Sequence, residues 1–153
     1  MPTVEERLAA MGLTVHEVVP PVAAYVPAKV SGRYVFTAGQ LPFVDGVLAE
    51  TGKVGAEVTA ERAAELAAIC ALNAIAAVKS VVPLESVVQV VKVVGFVASA
   101  PDFTGQPAVL NGASNLLLEA FGECGAHARS AVGVASLPLN SPVEVELIVE
   151  IAG

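Results

Sequence analysis

The apolar positions recur with two periods, and the switches between them divide the chain into elements. Thr3 to Met11 has a helical pattern. Thr3 and Glu6 form a capping box, and Gly12 is a natural stop. Val15 to Val22 is apolar with two adjacent prolines, which predicts extended chain. Tyr25–Val30 and Tyr34–Gln40 read as strands joined by a tight turn at Ser31–Gly32. Phe43 to Val54 carries Asp45-Gly46 and Thr51-Gly52, the chemistry of turns around a small hairpin. Thr59 caps a long helix reaching about Val81, with Leu66, Ile69, Leu72 and Ile75 at three-residue spacing and Cys70 beside them. Ser86–Ala98 is a continuous β-branched run, the pattern of a central strand covered on both faces. Pro107–Phe121 is a second helix, ended by Gly122 and Gly125. Ser130–Leu137 and Val143–Ile151 are strands joined by the turn Pro138–Pro142.

Each long helix lies between strands, so each can pack on one face of a single sheet. The expectation is one α+β domain over residues 1–153, with one mixed sheet and two main helices on one face. The valines between Val87 and Val97 point both ways. No leftover element can cover the second face, so a partner subunit is expected there.

Composition agrees. Hydrophobic residues make up 55% and charged residues 15% of the chain, against roughly 45–50% and 25% in soluble domains. A small monomer of that balance is poorly covered by polar side chains. A membrane span is not the answer, because the longest apolar stretch, Leu66 to Val78, falls well short of the ~20 residues needed. The charged start MPTVEERL is no secretory signal, so the expected location is the cytoplasm. Net charge is −7, and the eight Lys and Arg are scattered. Nucleic acid binding draws on phosphate neutralisation and is disfavoured. Cys70 and Cys124 form no CxxC, and His16 and His127 stand alone. No metal and no cofactor are expected.

Several residues could carry chemistry. Arg129 stands directly before an apolar strand, in HARSAVGVASLP. It suits either a surface ion pair or bidentate capture of a carboxylate. In VEVELIVEI, Glu144, Glu146 and Glu150 share one strand face. They make a solvated face, or one of them is a general base or positions water. If the last two strands form a simple hairpin, Arg129 lies opposite Glu150, and Glu144 is about six residues further on. At roughly 3.3 Å per residue the separation is ~20 Å, so the two could meet only across a subunit interface. Tyr25 is an amphipathic strand residue or a ligand contact. His127 shares a side with Arg129 on extended chain, as a substrate contact or as a structural or exposed histidine. Gly39, in TAGQLP, allows close approach of a ligand or marks a bulge.

These segments accumulate into a family pattern: TAGQLP, a long Ala-rich helix, KVVGFVASAPDF, EAF, ARSAVGVASLP and a late VEVE. From about Tyr25 onward the chain resembles the RidA (YjgF) family, as a divergent subgroup with an N-terminal extension of about residues 1–20. His127 stands where RidA often has Pro, Ala131 where it often has Cys, and Gly133 where an acid is common. The resemblance implies a chorismate-mutase-like subunit in a homotrimer whose sheets form a central barrel, with sites in the clefts between subunits. It also implies hydrolysis of reactive enamines and imines, such as 2-aminoacrylate, to 2-keto acids and ammonia. It matches the family's carboxylate-binding arginine to Arg129, its water-activating glutamate to Glu144, its site tyrosine to Tyr25 and its backbone-contacting glycine to Gly39. The expected partners are two further copies of the chain and a small 2-imino or 2-keto acid. A non-catalytic trimer that binds small carboxylates, or serves as an interaction module, is the alternative. An endoribonuclease or translation inhibitor is a weaker one.

Overall fold

The computed structural model describes residues 1–18 and 23–153. The extended stretch expected over Val15–Val22 lies partly outside the described residues; 13–18 form neither helix nor strand. Helix α1 (Val4–Ala10) begins at the capping box: the Thr3 hydroxyl accepts from the Glu6 amide at 3.1 Å, and the Thr3 amide donates to the Glu6 carboxylate at 3.0 Å. Leu8 is buried and anchors α1 in the core. Helix α2 (Ala60–Lys79) starts at Thr59, whose hydroxyl accepts from the Arg62 amide at 3.1 Å. Helix α3 (Gln106–Phe121) ends at Gly122 with φ of 68°. The buried stripe of α2 is centred on Ala63, Leu66, Ala67, Cys70, Ala71 and Ala74, while Ile69 and Leu72 lie at its margin. A three-residue spacing drifts off a 3.6-residue turn, so the alanines mark the packed face better than the larger side chains.

The sheet has five strands in the order β1 (Ala28–Ser31), β2 (Tyr34–Thr37), β7 (Val143–Ile151), β5 (Val87–Ala98), β6 (Ala128–Val134). A separate hairpin joins β3 (Phe43–Val44) to β4 (Val47–Leu48) through Asp45 and Gly46, both at positive φ. The Asn73 side chain ties it to α2 by donating to the Leu41 and Phe43 carbonyls. The Ser86–Ala98 run is indeed an interior strand, antiparallel to β7 and parallel to β6.

That topology corrects the expected hairpin of the last two strands. β5 lies between β6 and β7, Arg129 pairs with Val93, and Glu150 pairs with Tyr34 and Gln89. The physical reason is the connection: α3 carries the chain from β5 back to a parallel neighbour, which requires a long crossover and occupies the edge beside β5. A further correction concerns the strand ends. Arg129 is inside β6, and Tyr25 precedes β1 in chain without regular structure.

Val35, Val90, Val93, Val97, Leu147 and Val149 face the helices and are buried. The opposite face carries Tyr34, Phe36 and Val132, each more than 40% exposed, among the half-buried Val94, Phe96 and Ile148. None of the described helices lies on it. No helix of the described residues is long and apolar enough to cross a membrane.

Two glycines set the helix layer. Gly95 on β5 leaves room for Leu110 of α3, and Gly112 brings α3 against the Ala64 carbonyl of α2. A side chain can rotate away from an added methyl; a helix backbone cannot. Gly112→Ala should therefore destabilise the fold by about 2 kcal/mol, although alanine is the better helix former by ~1 kcal/mol. Thermal melting checks this, and an unchanged or raised Tm would refute it.

Candidate functional site

Two clusters of polar groups stand out, and they contain four of the five residues singled out from the sequence. The first surrounds Arg129. Residue 129 faces the helix side of the edge strand β6, where its guanidinium meets α3. Nη1 donates to Asn111 Oδ1 at 2.9 Å and to Ser114 Oγ at 3.2 Å, and Nη2 donates to the Pro107 carbonyl at 3.3 Å. All three acceptors are neutral. Among the described residues no carboxylate lies within ion-pair distance of Arg129. Arg62, by contrast, is paired with both Glu50 and Glu65. In a chain of net charge −7, this half-buried arginine, held only by neutral acceptors, keeps a charge that no described carboxylate offsets.

His127 joins the same cluster. Its Nδ1 lies 2.6 Å from the Gly125 carbonyl and its Nε2 lies 2.9 Å from Ser114 Oγ. Arg129 and His127 thus reach the same hydroxyl, as residues two apart on extended chain can. Both ring nitrogens are engaged within the chain, and Ser114 links His127 to Arg129.

The second cluster centres on Glu144. It points to the side of the sheet away from the helices, opposite Phe96 of β5 and one position along from Glu146 on that face. Pairing between β2 and β7 is interrupted over Thr37–Gly39 and resumes at Gln40 and Val145. There the backbone of Gly39 lies over the Glu144 side chain. A Cβ at Gly39 would fall 2.8 Å from both Cδ and Oε1 of Glu144. The need for a glycine is close approach, and the Gly39 amide makes no hydrogen bond among the described residues. Burial raises the pKa of Glu144 above the ordinary carboxylate value, and the neighbouring Glu146 charge raises it further. Both effects favour a carboxyl that exchanges protons closer to neutrality. Burial also raises the Cys70 thiol, with Glu144 adding to the effect. Cys70 is therefore a packed thiol, with no thiolate character.

The two clusters do not meet within the chain. The β6 residue in line with Glu144 is Val132, three positions from Arg129, so the two side chains leave opposite faces of the sheet. Two strand spacings and three residues put their backbones roughly 14 Å apart, not the ~20 Å expected of a hairpin. Tyr25 is 58% exposed, and no hydrogen bond links it to either cluster among the described residues. Asn111 and Ser114 are what the sequence reading missed. They lie with Pro107 at i, i+4 and i+7 on one stripe of a helix whose single charge is Glu119, which is the signal that was available. Among the described residues no group of His, Cys, Asp or Glu has the arrangement of a metal site.

Comparison with known proteins places the chain. Residues 5–151 match the family described as "YjgF/chorismate mutase-like, putative endoribonuclease". The chain belongs to the YjgF/chorismate-mutase-like family. The match takes in α1. Protein TCP17 of Trypanosoma cruzi is 40% identical over 150 residues, covering 97% of this chain and 94% of that protein. Among solved structures, Atu1372 of Agrobacterium tumefaciens superposes with a TM-score of 0.91 at 45% identity, covering 99% of this chain and 94% of that one. A Shewanella oneidensis protein named "putative endoribonuclease" superposes with a TM-score of 0.95 at 35% identity, covering 98% and 100%. The α+β fold with one mixed sheet and three helices is therefore that of the YjgF family.

Proposed function

We propose that this YjgF-family protein deaminates reactive 2-enamino and 2-imino acids to 2-keto acids and ammonia, in clefts between the subunits of a homotrimer. The observation that carries the reading is the unpaired Arg129, fixed by neutral acceptors with donors to spare. Such a group matches a planar carboxylate. The separation of Arg129 from Glu144 supports an inter-subunit site, because one chain offers each half on a different face. The exposed apolar face with Tyr34, Phe36 and Val132 supports assembly.

The chemistry asks little beyond positioning and one proton carrier. Arg129 of one subunit holds the substrate carboxylate. 2-Aminoacrylate gains a proton at C3 and loses one from nitrogen, giving 2-iminopropanoate. Glu144 of the neighbouring subunit takes a proton from water as the water oxygen bonds to the imine carbon. That proton passes to nitrogen, giving a carbinolamine; the hydroxyl proton then also moves to nitrogen, the C–O double bond forms as the C–N bond breaks, and pyruvate and ammonia leave. The Gly39 amide donates toward the ligand beside Glu144, and Tyr25 closes the pocket. An imine carbon is already electrophilic, so no cofactor enters the balance.

The test is direct. 2-Iminobutyrate generated in solution should disappear faster with the protein than without it, with one 2-keto acid formed per imine lost. No acceleration ends the deaminase reading. Sedimentation should give three times the mass of the chain, and a stable monomer would remove the inter-subunit site. Cleavage of RNA by a pure preparation, in the absence of deaminase activity, would favour the endoribonuclease named among the relatives.

A further inference from the structure

The hydrogen bonds around Arg129 run in one direction. The Gly125 carbonyl can only accept, so at 2.6 Å the proton between it and His127 sits on Nδ1. With the ring uncharged, Nε2 is then an acceptor and takes the Ser114 hydroxyl proton at 2.9 Å. With its proton committed, Ser114 Oγ presents a lone pair to Arg129 Nη1 at 3.2 Å. Asn111 Oδ1 takes the other Nη1 proton at 2.9 Å, and the Pro107 carbonyl takes one from Nη2 at 3.3 Å. Three of the five guanidinium protons are accounted for. Nε–H and one Nη2–H remain.

We infer that Asn111, Ser114 and His127 are positioning residues that lock the Arg129 guanidinium so that its unused donors present one carboxylate-binding edge. This rests on the reading that Arg129 captures the substrate carboxylate. Without its acceptors the guanidinium can rotate among several orientations, and capture of the acid carries the added cost of fixing it, while the fork still orients the acid once bound. A Ser–His pair can also be nucleophile and base. Here Ser114 is 9% exposed and its oxygen already accepts from Arg129, so the hydroxyl orients and does not attack. His127 has no role at the ligand itself, because both ring nitrogens are used.

Calorimetry with 2-oxobutyrate and steady-state kinetics with 2-iminobutyrate test this on the intact protein. Asn111→Ala, Ser114→Ala and His127→Phe should each raise KM and Kd about tenfold, the scale of one hydrogen bond to a charged group. kcat should change by less than about twofold, because the carboxylate is held alike in ground and transition states. Ser114→Thr keeps the hydroxyl and should recover most of the loss. In an Arg129→Ala background, Ser114→Ala should weaken binding no further. If Arg129→Ala abolishes binding while Asn111→Ala and Ser114→Ala, folded by thermal melt, leave KM and Kd unchanged, the positioning role is wrong and the capture role stands. If Arg129→Ala leaves binding unchanged, the capture role itself is wrong. Loss of kcat at unchanged KM in Ser114→Ala would make Ser114 a nucleophile and overturn the inference. Asn111 is exposed, so its variant decides the matter even if buried Ser114 tolerates no change.

Discussion

Arg129→Ala should weaken binding of 2-oxobutyrate by roughly 10²–10⁴-fold, the loss of two charge-assisted hydrogen bonds of about 1.5–3 kcal/mol each. The fold should be nearly untouched. Arg129 makes no ion pair, and its three contacts are to neutral groups near the surface of α3. Arg129→Lys is the informative companion. It keeps the charge but not the fork, and a lysine cannot occupy three acceptors while still offering two parallel donors. Its affinity should fall between wild type and Arg129→Ala, with kcat reduced because the acid is no longer oriented. Calorimetry measures the first effect and single-turnover kinetics the second. Equal affinity of Arg129→Lys and wild type would mean that only charge matters at this position.

The elements were readable because their signals are local. The capping box of Thr3 and Glu6 and the cap at Thr59 are fixed by neighbouring residues, and the structure has both. The strict alternation of β7 put Glu144 and Glu146 on one face, and the register keeps them there. Strand order was not local. A turn at Pro138–Asn140 between two apolar strands reads as a hairpin. Instead this segment carries the chain past the end of β5, with Leu139 and Asn140 both at φ 59°. What places β5 between its neighbours is its own length and its apolar residues on both faces, a signal that was read as burial but not carried through to pairing.

The site was legible in part for the same reason. Arg129 and Glu144 carry charges that stand out in a chain with few. Asn111 and Ser114 look like ordinary polar positions of an amphipathic helix. Their meaning comes from α3 lying against β6, which no local pattern states. Gly39 was ambiguous between bulge and close approach, and it is both: the strand pairing breaks there, and the absent Cβ is the space that Glu144 fills. On the proposed function each chain carries two unlike half-sites, a cationic edge beside α3 and a carboxyl under Gly39 on the other face. A cyclic assembly that brings one against the other makes as many complete sites as subunits. Such an assembly would also cover the apolar face, giving assembly and the proposed chemistry one structural cause.

Glu144→Gln should lower kcat by about 10²–10⁴-fold, the usual contribution of a positioned proton carrier. KM should change little, since Arg129 holds the carboxylate. The wild-type rate should rise with pH through the Glu144 titration, which burial and Glu146 have moved above the ordinary carboxylate value. Below that range the carboxyl is protonated and cannot take a proton from water; the limb should be absent in Glu144→Gln. Stability should move the opposite way. A carboxyl whose pKa is raised by folding binds more protons in the folded than in the unfolded chain, so its contribution to stability falls as pH rises from the ordinary value through the folded one. Above that window the buried charge is a standing cost, and Glu144→Gln, similar in shape but uncharged, should be the more stable protein. Below it the two should converge. Urea melts of both proteins from acid to neutral pH read the difference. A Glu144→Gln protein that is slower but no more stable at neutral pH would mean that the charge is already compensated in the assembly, by a group from the neighbouring subunit. A variant that keeps full kcat would remove Glu144 from the chemistry altogether.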